Sequence, residues 1–167
     1  MLIEVYSDGS ATTSDKPGGY GFVICLNGIK VAEGSGHLPK ASNNFAEITG
    51  AIAGLEYILN TDIPGVDGEC SGGTVQGFRV TLVSDSKLVL GYANGSYQCR
   101  ARHLLPLMLK LRKLYRQLNA ETRWVRGHAG DEQNEACDRL AKSARETPPG
   151  GGSKEADTDG EVPSQSD

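Results

Sequence analysis

Gly19-Tyr20-Gly21-Phe22-Val23-Ile24-Cys25-Leu26 and Ile29-Lys30-Val31-Ala32-Glu33-Gly34 are two β-rich runs joined by the dipeptide Asn27-Gly28. A two-residue hairpin needs positive φ at both turn residues, and Asn-Gly supplies this at little steric cost. The stretch therefore predicts an antiparallel pair. Upstream, Leu2-Ile3-Glu4-Val5-Tyr6 predicts another strand, with Ser7-Asp8-Gly9-Ser10 expected to turn the chain away from it. The chain thus opens on three antiparallel strands.

Downstream the period changes. Ala46, Ile48, Ala51, Ile52, Leu55, Ile58 and Leu59 recur at helical spacing behind a cap at Ser42 or Asn43. Glu47 falls on or beside that buried stripe, where a carboxylate needs a partner. Residues 60–77 show no period and are expected to form a long surface loop. Phe78 to Val83 predicts a fourth strand, ending on Ser84-Asp85-Ser86. A short helix from Lys87 to about Ala93 should stop at Asn94-Gly95. His103 to Leu118 carries apolar residues at helical spacing, with Pro106 in its first turn. Thr122 to Arg126 predicts a fifth strand, Gly127 to Gly130 a loop, and Asp131 to Arg145 a last helix.

At 167 residues the chain fits one domain with a proper core. Residues 1–146 are expected to fold. The acidic, Gly/Pro/Ser-rich tail 147–167, whose only large apolar residue is Val162, is expected to be disordered. Glu4 and Asp8 interrupt the first apolar stretch, and no apolar run is long enough to cross a bilayer. These features predict a soluble, cytoplasmic protein with no membrane partner. The cysteines at 25, 70, 99 and 137 lack paired spacing, which argues against zinc or a disulfide framework.

Net charge is −4, and the tail, with one base and five acids, accounts for all of it. The body is balanced but lopsided: from Ser86 to Gly130, nine bases face Glu121 alone. Such a stretch can carry a polyanion footprint, or it can be a solvated helix face.

Asp8 and Asp85 are each expected at a strand end, with Glu47 and Asp138 on covering helices. In an α/β sheet, sites collect where strand ends open towards loops. Carboxylates gathered there repel unless a cation holds them, and hard oxygen ligands select magnesium or manganese. Two such ions can clamp a phosphodiester displacement. Each acid also has a plainer use, as turn residue, ion-pair partner, helix cap or solvated acid. Spacing permits the four to meet and does not require it.

Ser7-Asp8-Gly9-Ser10, Asn43-Asn44-Phe45-Ala46-Glu47, Val83-Ser84-Asp85-Ser86, and Val125-Arg126-Gly127-His128-Ala129-Gly130 with Asn134-Glu135-Ala136-Cys137-Asp138 resemble, in order, the type 1 ribonuclease H family. The resemblance covers roughly residues 1–146, and its last motif is the specific one. It implies the ribonuclease H-like α/β fold: a five-stranded mixed sheet, three strands antiparallel and two parallel, flanked by helices. It implies an endoribonuclease that hydrolyses the RNA strand of RNA–DNA hybrids by a two-metal-ion mechanism, leaving 5′-phosphate and 3′-hydroxyl ends. By resemblance, Asp8, Glu47, Asp85 and Asp138 are catalytic ligands of two Mg2+ ions, with Mn2+ as a substitute. His128 matches a mobile histidine that assists proton transfer or product release. Asn43 and Asn44 match residues that read the minor groove and its 2′-hydroxyls. Ser42 falls where the family often has a threonine holding a DNA phosphate, and Ser10 joins the substrate-binding set. The expected partner is an RNA–DNA hybrid bound by a monomer.

The chain also departs from the family. Many bacterial members grip the DNA strand with a basic, tryptophan-containing protrusion, and Gly91 to His103 is too short for one. Arg100 and Arg102, with the base-rich helix behind them, are the proposed substitute. Three other readings stand: a DNA endonuclease on the same fold, a non-catalytic nucleic-acid-binding module, and an α/β domain with no nucleic-acid role whose basic helix is merely solvated. The Asn43-Asn44 pair and the glycine-flanked His128 argue against the first. Against the second, a binder gains only repulsion from four retained acids.

Overall fold

The computed structural model describes residues 1–61, 63 and 77–149. Most of the 60–77 stretch, Cys70, and residues 150–167 of the tail lie outside the described residues. The elements run β1 (Leu2–Ala11), β2 (Gly18–Leu26), β3 (Ile29–Leu38), α1 (Asn43–Asn60), β4 (Arg79–Ser84), α2 (Lys87–Asn94), a 3-10 turn (Arg102–Leu104), α3 (Leu105–Gln117), β5 (Glu121–Trp124) and α4 (Glu132–Glu146). The sheet order is β3-β2-β1-β4-β5, with β1, β2 and β3 antiparallel and β4 and β5 running parallel to β1. The three-plus-two mixed sheet is the one expected.

Local chemistry explains the elements. Asn27 and Gly28 both take positive φ, 50° and 85°, as the hairpin demands. Ser42 caps α1, its Oγ accepting from the Phe45 N–H at 3.2 Å. Gly95, at φ 84°, ends α2 in the left-handed conformation that glycine adopts without strain.

Successive side chains of β1 point to opposite faces. Ile3 and Val5 join Ile48, Leu55, Leu82, Val89 and Leu111 in the larger core beneath α1, α2 and α3. Tyr6 joins Val23, Cys25, Val83 and Cys137 in a smaller one beneath α4. Cys25, Cys99 and Cys137 are free thiols, and burial pushes the Cys25 thiol up to about 11.

Several boundaries differ from expectation. Ser7 to Ser10 is not a turn: β1 continues to Ala11, so Asp8 lies inside a strand and pairs with Gly21. The pairing of β1 with β4 ends at Tyr6–Val83, and beyond it β1 pairs with β2 alone. The expected strand end is therefore real on one flank only. β3 runs on to Leu38, β5 stops at Trp124, and His103 belongs to a 3-10 turn that precedes α3.

Candidate active site

The flank of β1 beyond Tyr6, no longer covered by β4, is where the acids meet. Carboxylate oxygens of Asp8, Glu47 and Asp85 all lie within 4.8 Å of one another, a group able to hold a metal ion. Each comes from a different element. Asp8 sits on β1 and accepts from the Gly9 N–H at 2.8 Å. Asp85 follows the last residue of β4. Glu47 lies one turn into α1, where Asn43 Nδ2 donates to its Oε1 at 3.1 Å and the Ser86 hydroxyl also bonds it. Ser86 thus has two tasks, because its Oγ also caps α2 by accepting from the Val89 N–H.

The charge is crowded. The Asp8 carboxyl is pushed up to about 8, first by burial, then by Asp85, against the Gly9 bond, with Glu47 and Asp138 adding to the rise. Burial also raises Glu47, opposed by the Ser86 bond; Asp85 raises it further and Asn43 lowers it. Like-charged groups held this close repel unless a cation shares them. An all-oxygen donor set suits hard divalent cations rather than zinc or copper.

Asp138 is not in the three-acid group. Its Oδ2 is paired with Lys142 Nζ, one turn on, at 2.9 Å. It is close enough to raise Asp8, so the fourth acid borders the cluster with its charge already partnered.

The other residues singled out are dispersed around this centre. His128 is exposed, with φ 54°, on the loop joining β5 to α4. Next to it, Gly127 is so close to Asp85 that a Cβ there would lie 3.0 Å from Oδ2. Asn43 and Asn44 are exposed at the start of α1. Ser10 is buried, its Oγ accepting from Arg145 Nη1 at 3.0 Å. Arg100 and Arg102 are exposed before α3. Two bases of the helix behind them, α3, are otherwise engaged. Arg112 donates to the Tyr92 and Tyr97 carbonyls, and Lys110 pairs with Glu56 at 3.4 Å.

Sequence reading missed two neighbours of Asp85. Trp124 Nε1 donates to the Asp85 carbonyl at 3.1 Å while Lys87 Nζ lies 4.7 Å from the ring centroid, although the tryptophan is 47% exposed. Asn134 Nδ2 reaches Asp85 Oδ2 at 3.4 Å. The available signal was their position: Trp124 precedes the Gly-His-Ala-Gly loop and Asn134 follows it.

Comparison with known proteins agrees with the geometry. The RNase H family profile matches residues 2–146. A Ribonuclease H from Syntrophotalea carbinolica is 34% identical over 156 residues, covering 86% of this chain and 90% of that protein. Among solved structures, the N-terminal RNase H domain of a Mycobacterium tuberculosis protein superposes with a TM-score of 0.69 at 26% identity, covering 87% of this chain and 94% of that one. LC11-RNase H1, solved in complex with an RNA/DNA hybrid, gives 0.69 at 23% identity, covering 86% and 96%, a likeness of fold. An α/β nuclease fold with three converging carboxylates defines the class, and the chain belongs to the RNase H family.

Proposed function

We propose that this chain hydrolyses the RNA strand of RNA–DNA hybrids with two Mg2+ ions held by Asp8, Glu47, Asp85 and Asp138, leaving 5′-phosphate and 3′-hydroxyl ends. Ribonuclease H activity itself follows from family membership. The observation that carries the metal reading is the meeting of three carboxylates from β1, α1 and the end of β4. Bound divalent cations would activate the attacking water and stabilise the leaving oxygen. The chain's own residues hold and orient. Asn43 and Ser86 fix the Glu47 carboxylate, and Asn43 and Asn44 face solvent at the start of α1, where a minor groove can reach them. The reading extends to a monomer in the cytoplasm with no membrane partner. No helix among the described residues is long and apolar enough to cross a membrane.

The test is incubation with a labelled RNA–DNA hybrid and magnesium, with and without chelator. RNA cleavage that chelator abolishes, with the matching DNA duplex left intact, is the expected result. Equal cutting of the DNA duplex would make the chain a DNA endonuclease on the same fold.

His128 assists proton transfer or product release, and its left-handed backbone between two glycines suits a side chain that swings. His128→Ala should lower turnover about tenfold to a thousandfold and leave metal affinity nearly unchanged. A large shift in metal affinity would make His128 a ligand instead.

Arg100 and Arg102 contact the DNA-strand backbone, with support from Lys110, Arg112, Lys113 or Arg116; Lys113 and Arg116 are exposed, while Arg112 donates to the Tyr92 carbonyl and Lys110 pairs with Glu56. Phosphate contacts position a duplex without reading its sequence. Replacing both arginines by alanine should raise KM, spare saturated turnover, and flatten the slope of log affinity against log salt by roughly one unit per lost contact. An unchanged KM and salt slope would make them surface charge.

A further inference from the structure

Asn134 is a residue of the Asn-Glu-x-x-Asp motif that the mechanism above leaves without a task. It lies in the first turn of α4 and is 3% exposed. Its backbone is pinned, because the N–H donates to Oδ1 of the capping Asp131 at 2.9 Å. Burial leaves its side chain little freedom to search for other partners. Nδ2 reaches Asp85 Oδ2 at 3.4 Å, while Oδ1 is buried with no hydrogen-bond partner among the described residues.

That arrangement is costly as it stands. A buried amide oxygen without a donor forfeits its hydration, and a bond of 3.4 Å returns little of it. A γ-branched apolar residue of similar volume would fill the same space without that cost. Native structures keep under-satisfied buried polar groups where an unrecorded water, an ion or a functional demand accounts for them. The neighbour here is Asp85, held by the Trp124 indole at its carbonyl and by Asn134 at Oδ2, with Gly127 so near that a Cβ there would lie 3.0 Å from the same oxygen. Asp138 lies one turn further along α4, so the same helix that presents the fourth acid also touches the third.

We infer that Asn134 is a positioning residue for Asp85. Its amide N–H orients the carboxylate for metal, and its unpartnered carbonyl awaits a donor that arrives with the hydrated cation. The inference rests on the reading of Asp85 as a metal ligand. Partners that orient a ligand typically change metal affinity or activity 10- to 100-fold when removed. Asn134 should therefore act on metal and turnover, and hardly at all on the hold on the hybrid.

The experiment uses Asn134→Leu, which keeps the branched shape and removes both polar atoms, and Asn134→Ala, which cannot overfill the site. Trp124, the chain's one tryptophan, reports from beside Asp85, so magnesium binding can be followed by its fluorescence without substrate. The leucine variant should match or exceed wild-type thermal stability without metal. It should bind magnesium roughly 10- to 100-fold more weakly, with kcat at fixed magnesium falling by a similar factor and KM for the hybrid unchanged. If the leucine variant does not fold, the alanine variant must show the same metal and kcat losses. Lower stability with unchanged magnesium affinity and kcat would overturn the inference and make Asn134 a packing residue. A raised KM with unchanged kcat would overturn it in favour of substrate contact. Failure of the metal-ligand reading is distinguishable, because Asp85→Asn would then leave magnesium binding intact.

Discussion

Asp8→Asn and Asp85→Asn should each leave a folded protein whose turnover on an RNA–DNA hybrid is lower by roughly three or more powers of ten. The loss follows from removing a charged oxygen from a group of three that lie within 4.8 Å of one another. An amide keeps the shape but not the charge. Stability should move the other way. The folded Asp8 carboxyl is raised to about 8 from an ordinary 3.8, so between those values the native state holds a proton that the unfolded chain has released. Stability then falls as pH rises through that window, because the unfolded state binds fewer protons. Without metal, the advantage of Asp8→Asn over wild type in denaturant midpoint should therefore grow from about pH 4 to about pH 8. Magnesium, binding the native state of the wild type, should narrow the gap at the upper end. Near wild-type turnover in either mutant would remove that residue from the ligand set, and a pH-independent midpoint difference would mean that Asp8 is not crowded.

What could be read in advance was local. Asn27-Gly28 declares its turn because both residues must take positive φ, and Ser42 declares a helix start because its Oγ can reach an N–H three residues on. The mixed sheet and the acids at its opening followed from such signals, ordered by family resemblance. What stayed hidden depends on packing between distant elements. Ser7-Asp8-Gly9-Ser10 has the composition of a turn, yet it continues as strand because the Gly19–Phe22 stretch pairs with it from β2. The 3.6-residue period places Asp138 on a face of α4, but only the folded helix reveals that Lys142 holds its carboxylate. Arg112 looked like one more phosphate-binding base, and only the docking of α3 beside α2 brings it to the Tyr92 carbonyl. Asn134 and Trp124 converge on Asp85 from α4 and β5, separated in sequence from it by 49 and 39 residues.

Gly9→Ala should damage this protein through geometry alone, without touching a charge. Gly9 faces α1, and a Cβ built there would run into the backbone of Ala46 and Glu47, coming within 2.8 Å of the Glu47 Cα. Helix backbone cannot swing aside as a side-chain tip can, so α1 must shift away from β1. Overpacking of this kind typically costs about 1–3 kcal/mol. The functional cost should be larger, because the helix residue struck is the one that carries the second carboxylate to Asp8. A displacement of about 1 Å in a reacting constellation can cost on the order of a hundredfold in rate. Gly19→Ala is the matched control. Its added Cβ meets the backbone of α4 at Ala141 and Arg145, beyond Asp138 and away from Glu47. Both variants should lose comparable stability in denaturant melts. At a temperature where both remain folded, Gly9→Ala should lose about a hundredfold in turnover and Gly19→Ala far less. Equal turnover losses would mean that general loosening of the fold explains the effect. Wild-type turnover in Gly9→Ala would mean that the close seat of α1 on β1 is not what delivers Glu47 to the acids.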